Sequence, residues 1–147
     1  MNAIKPSVVN GGFTLIEIMV VVVILGILAA IIAPNIIDRV EQARITRAKI
    51  DIQTIEAALK MYRIDNSRYP TTEQGLEALV RKPAGSNLPK YATDGYIERL
   101  RMDPWNSPYQ YLYPGRNGRV DIYSFGSDGL PDGVDGDADI GNWNLDE

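Results

Sequence analysis

The sequence predicts an α+β protein: a long N-terminal α-helix, membrane-spanning in its first half, packed on a small antiparallel β-sheet head with an acidic C-terminal loop. Three observations carry this expectation. Residues 18–37 hold no charge over the roughly 20 positions that a helix needs to cross a bilayer. Apolar residues then recur at helical steps as far as Tyr62, and two tyrosine-rich runs of period two flank a Pro-Gly turn. The 147 residues leave room for one modest globular domain beside the apolar segment. The net charge is −4 and no Lys/Arg-rich run occurs, so a nucleic-acid surface is not expected. Cysteine and histidine are both absent, which excludes disulfides, thiolate chemistry and a histidine general base.

The first twelve residues are polar, carry a single charge at Lys5, and no small-x-small cleavage site follows the apolar run. An ordinary secretory signal therefore does not fit. Any cut should precede the apolar run and leave the anchor attached, the blander alternative being an uncleaved signal anchor. Glu17 stands at the entrance of the segment. An ionised carboxylate inside a membrane helix costs roughly 2.5–3.5 kcal/mol on insertion scales, and no Lys or Arg lies at helical spacing within the segment. Were the chain cut between Gly12 and Phe13, the new α-amine of Phe13 would offer a positive charge. Between staggered neighbours, the carboxylate of one subunit would neutralise the amine of the next.

Past the apolar segment, Ile45, Ala48, Ile52, Ile55, Leu59 and Tyr62 share one helical face, while Arg44, Arg47, Asp51, Glu56, Lys60 and Arg63 take others. One helix from Phe13 to about Arg63 follows, on the order of 75 Å long at 1.5 Å per residue. Pro34, which lacks a backbone donor, marks with Gly26 the expected place of a bend or local melting. Asp38, Glu41, Arg44, Arg47 and Asp51 are candidates for pairs between subunits, although such charges ordinarily form a solvated face.

In the head, Thr71-x-x-Gln74 resembles a capping box for a short helix through about Val80, ended by Lys82-Pro83-Ala84-Gly85. Tyr109–Tyr113 and Val120–Phe125 form a hairpin around Pro114–Gly118, and Tyr96, Ile97 and Leu100 are candidates for a third strand. Trp105 is expected as a core or loop anchor, and the alternating tyrosines among Tyr109, Tyr111, Tyr113 and Tyr123 are expected to face the helix. Beyond Arg119 every charged residue is acidic. Asp128, Asp132, Asp135, Asp137 and Asp139, interleaved with Gly and Pro, form a loop that is either solvated or gathered around a hard cation. Calcium suits such an irregular all-oxygen loop better than magnesium. Asp135-x-Asp137-x-Asp139 opens like an EF-hand but has Ile140 where the sharp turn needs Gly.

Gly12-Phe-Thr-Leu-Ile-Glu17, followed by the apolar run and Pro34, closely resembles the prepilin motif of type IV pilins and their relatives. The resemblance implies that a dedicated prepilin peptidase cuts at Gly12–Phe13, that Phe13 becomes the N-methylated first residue, that Glu17 acts in assembly, and that helix is lost near Pro34 on assembly. Lys82-Pro83, Asp94-Gly95-Tyr96, Asp103-Pro104-Trp105, Pro108–Tyr111, Tyr123-Ser124 and Asp137–Trp143 extend the likeness to the major pseudopilins of type II secretion systems. That family holds a structural calcium ion, which on this chain implies Asp128, Asp135 and Asp139 with the main-chain carbonyls of Phe125 and Asp137.

The implied division is residues 1–12 as cleaved leader, 13–35 as transmembrane and filament-core helix, and 36–147 as a periplasmic head that includes the second half of the helix. The implied function is that of a structural subunit, with no catalytic residues, of a homo-oligomeric helical pseudopilus. This pseudopilus would act as a piston, working with minor pseudopilins and an inner-membrane assembly platform to export folded proteins across the outer membrane. Before assembly the chain would sit in inner-membrane lipid. The alternative, a type IV pilin of a surface filament for adhesion or motility, is disfavoured by the lack of Cys, because true pilins usually close their C-terminal region with a disulfide. A minor, tip-located pseudopilin and a glycosidase with paired carboxylates are the remaining options. The latter is weakened because the aspartates cluster in one Gly-rich loop rather than across a cleft.

Overall fold

The structure, a computed structural model, describes residues 12–133 and 137–146; of residues 32–37 it describes the backbone alone. The chain divides into two compact units, Met1–Arg39 and Val40–Glu147. Helix α1, Leu15–Asn66, contributes to both. In the first unit α1 carries leucine, isoleucine and valine on all sides, and every described side chain from Phe13 to Ile31 is exposed. A helix apolar all round has no polar face to turn to water, so it needs lipid or other apolar surfaces around it. Among the described residues no helix is long and apolar enough to cross a membrane; the expected span continues into residues 32–37, whose side chains lie outside the description. α1 remains helical through position 34, so Pro34 does not end the helix in the single chain.

The second unit is built on the amphipathic half of α1. Ala48, Ile52, Ile55, Leu59 and Tyr62 are buried, with Ile45 partly so, as the spacing predicts. The charged residues on the other faces pair along the helix itself: Arg44 with Glu41 at 3.4 Å, Arg47 with Asp51 at 3.7 Å, and Lys60 with Glu56 at 3.0 Å. Such exposed pairs contribute little each.

Three short antiparallel strands cover this face in the order β1 (Gln110–Leu112), β2 (Asp121–Ser124), β3 (Ile140–Gly141). Register pairs Tyr111 with Ile122 and Tyr123 with Gly141. Period-two alternation turns Tyr109, Tyr111 and Ile122 inward. The Tyr109 hydroxyl donates to Asp51 of α1 at 3.2 Å, and Tyr111 donates to the Pro70 carbonyl at 2.9 Å. Burial pushes both phenols above their ordinary range, and the Asp51 carboxylate adds to the effect at Tyr109. Tyr123 departs from the expectation. It stands on the other face of β2, its ring 5.3 Å from Phe125 and 5.7 Å from Trp143. Trp105 anchors its loop as expected, its indole N–H donating to Glu41 at 3.0 Å.

Two further expectations are corrected. Thr71 and Gln74 do form a reciprocal capping box, at 3.0 and 3.2 Å, but it closes an isolated turn. Gly75 adopts φ +59°, which no helix propagates, so α2 is only Glu77–Val80. Tyr96 and Ile97 are not in a strand. Both of their amides donate to the Leu79 carbonyl at the end of α2, at 2.7 and 3.3 Å. Gly95 makes this approach possible, since a Cβ there would lie 2.6 Å from the Val80 carbonyl oxygen. The third strand comes instead from Ile140–Gly141, and side-chain amides prolong it. Asn142 accepts from the Ile122 amide at 3.1 Å and donates to the Val120 carbonyl at 3.0 Å, and Asn144 bridges Gly141 and Asp139 in the same way.

Candidate functional site

The sequence singled out two places, one in each unit. At the start of α1, Glu17 is the third residue of the helix and Thr14 precedes it as N-cap. The Thr14 amide and hydroxyl both reach Glu17 Oε2, at 3.3 and 3.4 Å, and the Glu17 amide returns a bond to Thr14 Oγ1 at 3.3 Å. This is a capping box, with each side chain satisfying an amide that the helix leaves unpaired. Glu17 thus has neutral partners within its own turn, and among the described residues it makes no ion pair. Thr14-x-x-Glu17 is the same signal as Thr71-x-x-Gln74, hidden here because the acid drew attention as an intramembrane charge. The box uses Thr14 and not Phe13, so a cut at Gly12–Phe13 would leave it intact. Phe13 itself is fully open to its surroundings at 81% exposure.

In the second unit two buried aspartates, Asp121 and Asp103, stand apart from the acidic loop. Asp121 is buried and belongs to the β1–β2 loop, where its carboxylate accepts from the amides of Arg116 at 2.6 Å, Asn117 at 3.0 Å and Gly118 at 3.1 Å. Asp103, also buried, plays the same part for its own loop. It takes bonds from the Trp105 and Ser107 amides and from the Ser124 hydroxyl. Neither role was anticipated. Each carboxylate closes a neighbouring turn through amides two to five residues away, a pattern that a sequence crowded with aspartates conceals.

Asp128, Asp132, Asp135, Asp137 and Asp139 fall between β2 and β3 in the sequence. Asp135, an expected metal ligand, lies outside the described residues. Asp128 accepts from the Leu130 amide at 2.9 Å, Asp139 Oδ2 from the Asp132 amide at 3.2 Å, and the Ser127 hydroxyl bonds to Asp137. Among the described residues, Asp139 Oδ1 is buried with no hydrogen-bond partner. The Asp137 carbonyl sits so close over Gly133 that a Cβ at that position would overlap it. Among the described residues, no three acidic groups are drawn together as a metal centre. What the arrangement does show is a buried carboxylate oxygen left unsatisfied, which is costly unless a cation or a donor meets it.

Comparison with known proteins covers both places. Residues 9–33 match the prokaryotic N-terminal methylation motif, and residues 35–143 match the family described as type II secretion system protein G. The type II secretion system core protein G of Pseudomonas aeruginosa is 60% identical over 135 residues, covering 91% of this chain and 95% of that one. The corresponding protein of Vibrio cholerae is 54% identical over 134 residues, covering 91% and 92%. A crystal structure of the major pseudopilin from the type 2 secretion system of enterohaemorrhagic Escherichia coli superposes with a TM-score of 0.65 at 49% identity, covering 75% of this chain and 95% of that chain.

Proposed function

Since the chain belongs to the type II secretion system protein G family, we propose that it assembles through the charge of Glu17 into a piston that exports folded proteins across the outer membrane. As a member of that family it is a structural subunit of the pseudopilus and works in a filament with other secretion components. In the proposed sequence of events, the chain enters the inner membrane by its apolar helix with the head in the periplasm. Prepilin peptidase removes residues 1–12, and Phe13 is N-methylated. The Phe13 amine of one subunit then meets Glu17 of its neighbour, Pro34 provides the helix break in the assembled state, and minor pseudopilins and an inner-membrane platform organise growth.

The observation that supports this reading is the Thr14–Glu17 box. It holds the carboxylate in a fixed place but supplies only neutral donors, so the anion stays uncompensated in a lone subunit. A full-length Glu17→Gln chain separates the two roles, because glutamine preserves the box while discarding the charge. The expected outcome is normal processing and membrane insertion with loss of filaments and of secretion. Filaments at the wild-type level from the Gln variant would refute the assignment.

For the loop, we propose a structural calcium ion held by Asp128, Asp135 and Asp139 with the carbonyls of Phe125 and Asp137. The donor set is all oxygen, and the unsatisfied Asp139 Oδ1 is the group that such an ion would complete. When bound, the ion supplies the positive charge that offsets repulsion among the aspartates. The chain's own contribution is the pair of hydrogen bonds, from the Leu130 amide to Asp128 and from the Asp132 amide to Asp139, that hold two of those carboxylates in place.

A further inference from the structure

A pocket of about 660 Å³ opens where the end of α1 meets the β1–β2 loop. Tyr69 and Tyr113 form its floor, with rings 5.6 Å apart, and the Arg63 guanidinium lies over Tyr69 at 5.3 Å. Arg68 and Arg119 complete the rim. Among the described residues none of these three arginines makes an ion pair. Asp65, two residues beyond Arg63 in the helix, interacts with Tyr96, and Asp121 is enclosed by its own loop amides. An acidic chain of net charge −4 thus presents one arginine-rimmed, aromatic-floored pocket.

The complementary shape is on the same molecule. Asp128-Gly-Leu-Pro-Asp132 is an exposed turn whose tip, Leu130, is 62% exposed. The bond from the Leu130 amide to Asp128 stiffens it. Arg119 enters β2 from one end and this turn leaves from the other, so pocket and knob lie at opposite ends of the strand. A knob and a pocket at opposite ends of one subunit make a head-to-tail contact, the kind that builds open helical filaments rather than closed dimers.

We infer that the pocket lined by Arg63, Arg68, Arg119 and Tyr69 receives the Leu130 turn of a second copy of this chain, with Asp132 of that copy facing the arginines. Leu130 would cover the tyrosine floor, and the ionic rim would set the register. This rests on the filament reading above and names the head surfaces that meet.

The natural chain has no Cys, so introduced thiols report without background. Full-length Ser67→Cys and Pro131→Cys chains are expressed together in cells carrying the secretion system, and filament formation is recorded beside oxidative cross-linking. A disulfide needs the two Cα atoms within roughly 7 Å. The expected result is a heterodimer that neither single variant gives alone. Arg119→Asp in the Ser67→Cys copy should lower it about tenfold, and Asp132→Arg in the Pro131→Cys copy should restore it. Filaments without the heterodimer would overturn this contact and leave the filament reading standing. Cross-linking of Ser67→Cys to a different protein would overturn the choice of occupant. Failure of the wild-type chain to form filaments would overturn the filament reading and this contact with it.

Discussion

Asp139→Asn tests the proposed calcium ion most sharply, because its effect should have opposite signs with and without the ion. Without an ion, Asp139 Oδ1 is a buried, unpartnered carboxylate oxygen among other acids. Such a group costs about 1–3 kcal/mol, more when charged. An ion present at about one hundred times its dissociation constant adds about 2.7 kcal/mol through binding to the folded state alone. For a unit the size of Val40–Glu147, where each kcal/mol moves the melting point by about 4 °C, chelation should lower Tm by on the order of 10 °C. Asp139→Asn keeps an oxygen for the Asp132 amide, now at 3.2 Å from Oδ2, but removes the charge. It should raise Tm in chelator and lower it in calcium. Scanning calorimetry of the detergent-solubilised full chain, wild type and variant, each with and without calcium, reads all four values. A variant that loses the same few degrees in both conditions would show that Asp139 is only a structural hydrogen-bond acceptor, and the ion assignment would fail.

Other measurements reach the rest of the molecule. Thr14→Ala removes the N-cap acceptor and the hydroxyl donor to Glu17 while keeping the backbone amide donor, and should cost about 1 kcal/mol of local helix stability. This would appear as faster amide exchange in the first turn of α1, with Thr14→Ser close to wild type. Asp121→Ala leaves the amides of Arg116, Asn117 and Gly118 without their acceptor. The expected loss is on the order of 3 kcal/mol in denaturant unfolding, with m unchanged. Tyr109 and Tyr111 are held protonated above the ordinary tyrosine range, so the folded state binds their protons more tightly than the unfolded chain does. Their contribution is therefore complete below about pH 10 and declines above it, by up to about 1.4 kcal/mol per pH unit for each. Alkaline unfolding that coincides with tyrosinate absorbance, shifted by Tyr109→Phe, would bear this out. Unfolding complete well below pH 10 would contradict it.

How far the sequence could be read depended on the range of the forces involved. The buried face of α1 was legible because a helix repeats its environment every 3.6 residues, and Ile52, Leu59 and Tyr62 repeat with it. The hairpin was legible because Tyr109, Tyr111 and Ile122 alternate across a local turn. What escaped prediction was decided by partners distant in sequence. Tyr96 and Ile97 have the composition of a strand, yet they pair with Leu79. Ile140–Gly141, a two-residue strand inside an apparent metal loop, exists because Asn142 and Asn144 lend it side-chain amides. Of the candidate metal ligands, Asp128 and Asp139 are placed in one loop, whereas Asp135 lies outside the described residues. The carboxylates of Asp103 and Asp121 could not be told apart from those ligands by composition, and only their burial and amide partners separate them.

The two sites share one physical feature, a carboxylate that the single chain positions without neutralising. At Glu17 the helix N-terminus contributes amide donors and a partial positive charge that falls off within the first turn, enough to fix the side chain but short of a full counter-charge. At Asp139 one oxygen is bonded to a neighbouring amide and the other is left buried and bare. Hydrogen bonds from neutral groups settle where an anion sits, whereas cancelling its charge requires a cation. Among the described residues neither acid makes an ion pair, and the proposed assembly and ion binding would each bring the cation from outside the subunit. On the proposed reading, a neighbour's amine would supply it at one end and a metal ion in the head.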